Sequence, residues 1–108
     1  MAEVLVEFAT PITGEDGRTY TARACGDEMH SGLWQGWIEF LPAGAGEPVR
    51  SPRETTQPNR KDTIYWATGL TPIYLEGSLR RAHDSLTRPS PRSVLQAIFD
   101  SPASRRTG

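Results

Sequence analysis

Residues 50–63, Arg-Ser-Pro-Arg-Glu-Thr-Thr-Gln-Pro-Asn-Arg-Lys-Asp-Thr, run for fourteen positions with no apolar side chain except two prolines. Folding is driven by burial of apolar surface, and this stretch offers almost none. In a chain of 108 residues such a run is a solvated loop or an edge strand, kept polar for solvent or for a partner. It also divides the rest, with strand-like, acidic segments before it and aromatic, helical, basic ones after. Residues 1–48 hold eight acids against Arg18 and Arg23, whereas residues 49–108 hold ten bases against five acids. Halves of opposite sign favour packing against each other or one distinctly positive face, and mutual neutralisation within the domain is the first expectation.

The length fits a single domain with a modest core, since apolar residues make up 36% of the chain. Cys25 is the sole cysteine, which rules out an intramolecular disulfide and a cysteine-rich zinc site. No apolar run is long enough to span a bilayer, and the acidic, alternating start Met-Ala-Glu-Val-Leu-Val-Glu is unlike a secretory signal. A cytoplasmic protein is expected. Residues 1–87 are read as one α+β domain, residues 88–101 as a short helix on a proline hinge, and residues 102–108 as a disordered tail.

Residues 3–9 alternate as a half-buried strand, with Val4, Val6 and Phe8 on one side and Leu5, Glu7 and Ala9 on the other. Turn chemistry at Gly14-Glu-Asp-Gly17 leads into a second strand over residues 18–25, where Tyr20, Ala22 and Ala24 share a face. Residues 26–32 read as a polar connection. Residues 33–41 have strong strand propensity and large apolar groups on both faces: Trp34, Gly36, Ile38 and Phe40 on one, Leu33, Trp37 and Leu41 on the other. That pattern predicts a central strand or part of a small barrel, with Gly36 marking a bend or a close crossing. In the polar stretch, an edge strand would turn Arg53, Thr55 and Gln57 one way and Glu54 and Thr56 the other. Residues 63–68 are read as a strand, because β-branched and aromatic residues outweigh the helix start offered by Asn59 and Asp62. Thr71-Pro72 opens a helix with Leu75, Leu79, Ala82 and Leu86 on one stripe. A second helix, with Val94, Leu95, Ile98 and Phe99 on its apolar side, is expected over residues 91–100. The fold class is therefore α+β: a small antiparallel sheet or partly closed barrel of four or five strands, a helix packed on it and a short terminal helix.

The chemistry-bearing residues give three functional readings. The first is a noncatalytic protein-binding or adaptor module. It docks through the polar stretch, with Arg50, Arg53, Glu54, Gln57, Asn59 and Arg60 as contacts and Trp37 and Trp66 as flanking aromatics. The second is binding of RNA or single-stranded DNA, with Arg50, Arg53, Arg60 and Lys61 on phosphates and aromatics under bases. The third, least favoured, is a small enzyme built on Glu39 and Glu54, or on Cys25 with His30 and its acidic neighbours Asp27 and Glu28. No residue is assigned as catalytic and no metal or cofactor is expected. His83 has no second histidine at metal-binding spacing, and Gly44-Ala-Gly46 lacks the rest of a nucleotide fingerprint. The expected partner is another protein, with nucleic acid second and no membrane.

Trp34-Gln-Gly-Trp37-Ile-Glu-Phe40, Arg53-Glu-Thr-Thr-Gln-Pro58, Tyr65-Trp-Ala-Thr-Gly-Leu-Thr71 and Tyr74-Leu-Glu-Gly77 together resemble a family of small uncharacterised bacterial proteins, a domain of unknown function. The resemblance spans about residues 33–83. It implies a bacterial, cytoplasmic setting and assigns no activity or catalytic residue.

Overall fold

The computed structural model describes residues 2–87, in the order β1 (Glu3–Glu7), β2 (Ile12–Thr13), β3 (Thr19–Glu28), β4 (Trp34–Pro42), β5 (Val49–Arg50), β6 (Thr55–Gln57), α1 (Arg60–Thr68) and α2 (Pro72–Thr87). The helix expected over residues 91–100 and the tail lie outside the described residues. The strands form one antiparallel six-stranded sheet, open and not closed into a barrel, in the order β1-β3-β4-β5. β2 extends the β1 side of β3, and β6 lies beside β4.

The long strands sit at the centre because they alone carry side chains for two faces. In the β3–β4 register, Ala22 pairs with Phe40 and Ala24 with Ile38 on the face that receives both helices, all four at 0% exposure. Tyr20 continues that row, and Ala67 of α1 with Leu75, Leu79 and Ala82 of α2 closes the core above it. Cys25–Trp37 and Arg23–Glu39 alternate onto the opposite face, which is helix-free among the described residues. β3 runs three residues past its expected end. Its glycine, Gly26, pairs with Gly36 of β4, and the chain turns only at Met29 to Gly32, where Gly32 has φ 89°.

That glycine pair positions α1. A Cβ at Gly36 would stand 2.7 Å from Trp66 Cζ3 and 2.9 Å from Thr55 Cγ2, and one at Gly26 would stand 2.8 Å from Leu5 Cδ1 and 3.3 Å from Thr63 Cγ2. The close crossing expected at Gly36 is present, and its partner is Trp66. The strand expected over residues 63–68 is instead helix. Asn59 Oδ1 accepts the Asp62 N–H at 2.8 Å and so caps the first turn, while the buried Thr63 hydroxyl is satisfied by donating to the Asn59 carbonyl at 2.8 Å. Thr63, Trp66 and Ala67, spaced i, i+3, i+4, face the sheet, leaving Tyr65 80% exposed. Tertiary packing on the glycines overrides the β propensity of Thr63, Ile64 and Tyr65.

β1 also departs from simple alternation. Val4 pairs with Cys25 but Val6 pairs with Ala24, a register shift at Leu5 that sends Val4 to the helix-free face while Val6 and Phe8 pack on the core. The β2–β3 turn is tied to α2 through Tyr20. Its hydroxyl donates to Asp16 Oδ2 at 2.8 Å and lies 3.3 Å from His83 Nε2. Opposite-sign pairs join the two halves of the chain, Glu3 with Arg60 and Glu15 with Arg80.

On α2, Ser78 is fully buried and its hydroxyl has no hydrogen-bond partner among the described residues. An unmatched buried hydroxyl costs free energy, and alanine has the better helix propensity. Ser78→Ala should stabilise the domain by about 1 kcal/mol, read as a higher urea midpoint with unchanged slope; a loss of stability would show that the hydroxyl is satisfied.

Candidate functional site

The polar stretch is neither one strand nor one loop. β5 and β6 are two short runs along β4, and residues 51–54 swing off the ladder between them. Side chains hold this detour. Ser51, 3% exposed, donates its N–H to the Ile38 carbonyl at 2.8 Å, and its Oγ accepts the Ile38 N–H at 3.0 Å in place of a main-chain oxygen. The Ser51 hydroxyl then donates to the Pro52 carbonyl at 2.8 Å. Glu54 N–H returns the chain to the ladder at the Gly36 carbonyl, 2.7 Å away.

The detour breaks the expected alternation. Thr55 and Gln57 pair with Gly36 and Trp34 on the helix side, and Thr56 pairs with Gln35 on the other. Arg53, expected beside Thr55 and Gln57, reaches instead to Thr56 Oγ1 at 3.4 Å and to Met29 Sδ at 3.3 Å. Glu54 turns to α2. Its side chain is 4% exposed; it accepts the Tyr74 hydroxyl at 2.6 Å and takes Arg81 in a fork, Nη2 at 2.6 Å and Nε at 3.1 Å. Burial pushes the Glu54 carboxyl upward, but Arg81 and Tyr74 outweigh it, and the net direction is down from 4.5. Burial and the Glu54 charge push the Tyr74 hydroxyl up to about 12.

Several predicted contacts are thus committed within the molecule. Glu54 is inside, and Trp37 is 1% exposed. Asn59 caps α1, and Trp66 lies over Gly36. Arg60 holds Glu3 through two bonds of 2.8 and 2.9 Å. Gln57 donates to Thr55 Oγ1 at 2.7 Å on the helix side. Arg50 and Arg53 are the two left on the helix-free side, Arg50 over Trp37 and Arg53 beside Thr56. The Arg50 guanidinium lies 3.9 Å from the centroid of the Trp37 ring, a cation–π stack that fixes a flexible side chain over a buried indole. Next to the arginines is a shallow groove of about 670 Å³ lined by Asp27, Glu28, Met29, His30, Ser31 and Gln35. Sequence reasoning missed Met29 and Thr56, which the β3–β4 turn and β6 bring to Arg53, and Gln35, the register partner of Thr56.

The residues of the enzyme reading are separated by the fold. Glu39 lies on the helix-free face in an ion pair with Arg23 at 2.9 Å, while Glu54 bonds α2. Burial raises the Glu39 carboxyl, but Arg23 and the Trp37 N–H bring it below the ordinary carboxylate value, so neither glutamate is tuned to deliver a proton near neutrality. Cys25 is buried in mid-strand, and burial followed by the Glu39 charge pushes its thiol up to about 12; His30 is exposed in the β3–β4 turn. Among the described residues no cluster of three or more His, Cys, Asp or Glu is arranged to hold a metal ion, and no helix is long and apolar enough to cross a membrane. Comparison with protein families, with curated proteins and with solved structures finds no match.

Proposed function

We propose that the chain is a noncatalytic protein-binding module that docks a partner through Arg50 and Arg53 on the helix-free face of its sheet. The observation that carries the reading is the held detour of residues 51–54. It turns Glu54 inward as an anchor and leaves the adjacent Arg53, with the stacked Arg50, facing outward. Arginines restrained before contact lose less side-chain entropy on binding, and arginine is enriched among residues that dominate interfaces. A bacterial, cytoplasmic setting, implied by the motif resemblance, belongs to the same proposal.

The geometry favours a protein over a nucleic acid. Of the four cations assigned to phosphates, Arg60 is neutralised by Glu3, and the buried Trp37 offers no face for a base to stack on. Arg53 is exposed and, among the described residues, bonded to a thioether and a hydroxyl. Arg53→Ala should leave the thermal midpoint almost unchanged, a stability effect within about 0.5 kcal/mol. It should weaken stoichiometric partner capture from a bacterial lysate by about tenfold or more. Unaltered capture would remove the docking edge. Co-purifying nucleic acid whose retention falls steeply with salt would replace the protein partner.

A further inference from the structure

Resting on that reading, we infer that the partner segment is acidic, and that one of its carboxylates seats on the edge formed by Arg50 and Arg53, with Arg53 as its main contact. Four of the seven arginines among the described residues are ion-paired with a carboxylate. Arg23 pairs with Glu39 at 2.9 Å, Arg60 with Glu3 at 2.8 Å, Arg80 with Glu15 at 3.4 Å and Arg81 with Glu54 at 2.6 Å. The other three are Arg18, held by the Ala45 carbonyl at 2.6 Å, and Arg50 and Arg53; Arg50 stands opposite Glu39 in the strand register and within the field of Asp27. Three positions apart on one edge, Arg50 and Arg53 contact an indole ring, a thioether and a hydroxyl, and neither is ion-paired with a carboxylate among the described residues. Glu54, the acid nearest in sequence, is spent on α2.

The surroundings narrow the class of anion. A planar guanidinium matches a carboxylate or a phosphate in a two-bond fork. A continuous phosphate track leaving the arginines would run into the groove at Asp27 and Glu28, where like charges repel it. Discrete carboxylates on a peptide meet the arginines and leave the groove to uncharged or basic neighbours. The partner chemistry is therefore a protein segment with one or two Asp or Glu side chains flanked by non-acidic residues.

The test is a titration of the isotopically labelled full chain, followed by NMR. One probe is a short peptide carrying two glutamates separated by a serine; the other is an oligothymidine of about ten nucleotides, the size of one single-strand binding site. The peptide should shift the amide and side-chain Nε–H signals of Arg50 and Arg53 and leave Arg60 unmoved. Its affinity should fall about tenfold in Arg53→Gln, a loss of about 1.4 kcal/mol, and it should weaken as salt rises. Arg53→Gln keeps the stack of Arg50 on Trp37, so the variant reports on the missing charge and not on folding. No shift with the peptide, or equal shifts in wild type and Arg53→Gln, overturns the inference, as does tighter binding of the oligothymidine at the same arginines. If lysate capture depends on Arg53 while the peptide fails, the docking edge survives and the acidic partner does not. If capture is indifferent to Arg53, the underlying reading has failed.

Discussion

Arg81→Ala should lower stability at neutral pH by about 3 kcal/mol, because it strands a buried carboxylate without its counter-ion. For a domain of this size that is a fall in the thermal midpoint on the order of 15 °C. Arg81 itself is 46% exposed, whereas the Glu54 side chain is 4% exposed, so the cost falls on the acid and not on the base. The pH dependence identifies the cause. In the wild type the folded-state pKa of Glu54 lies below 4.5. Its contribution is therefore complete above that value and is lost as the pH falls through the lower, folded-state pKa. Without Arg81 the folded-state pKa moves upward, because burial is then opposed by the Tyr74 and Ser51 hydroxyls without the guanidinium, so the variant loses less stability on acidification than the wild type. The gap between wild type and Arg81→Ala should narrow as the pH is lowered through the carboxylate range. Arg81→Lys, which keeps the charge but loses the fork, should fall between them. Denaturant titrations at neutral pH and at pH 4.5 decide the matter. A parallel pair of stability curves would mean that Glu54 is hydrated and that α2 is held in place by its apolar stripe alone.

Gly36→Ala should cost about 2 to 3 kcal/mol, although alanine is ordinarily the better strand residue. The added methyl would meet Trp66 Cζ3 at 2.7 Å and Thr55 Cγ2 at 2.9 Å, closer than carbon atoms approach without displacement. The indole is a rigid ring on a helix capped by Asn59, so relief requires α1 to lift or β6 to move. Gly26→Ala should be milder, since its nearest obstacle at 2.8 Å is the end of the Leu5 side chain, which has other rotamers. Urea unfolding together with near-ultraviolet dichroism of the tryptophans reads both effects. Replacing Trp66 by leucine in the Gly36→Ala background should recover part of the loss, because the two changes share one contact. Equal costs at the two glycines would show that strand propensity, and not the seat of α1, sets the penalty.

What could be read from the chain followed from local periodicity. The β1–β3 hairpin, the two faces of β3 and β4 and the stripe of α2 each repeat within one element, and the structure keeps them except for Leu86, expected on the stripe but 67% exposed. Gly36 was legible as a close crossing because a residue without a side chain between two tryptophans has few other uses. The helix α1 was not legible as such: Ile64-Tyr65-Trp66 resembles a strand until Gly26 and Gly36, far back in the chain, provide a seat for Thr63 and Trp66. The β1 shift at Leu5 left no local mark, since Leu5 and Val6 are both apolar and either fits the buried side.

At the candidate site the polar run correctly marked an edge of the sheet, but its polarity has two origins that composition cannot separate. Ser51, Glu54 and Asn59 are polar because they satisfy backbone and helix groups inside the domain. Arg50 and Arg53 are polar and outward. The difference lies in Ile38, Tyr74 and Arg81, which are distant in sequence, so it appears only when the elements are assembled.

The core cover on the helix side also has an order in time. Synthesis delivers the central strands first, with Tyr20, Ala22, Ala24, Ile38 and Phe40 already aligned along one side, while Ala67, Leu75, Leu79 and Ala82 emerge only later. Until then a nascent chain carries an oily flank with nothing of its own to shelter it, the kind of intermediate that invites aggregation or chaperone attention. The polar run lies between the two sets, so it leaves the ribosome after the strands and before the helices and keeps the growing end hydrated during that wait.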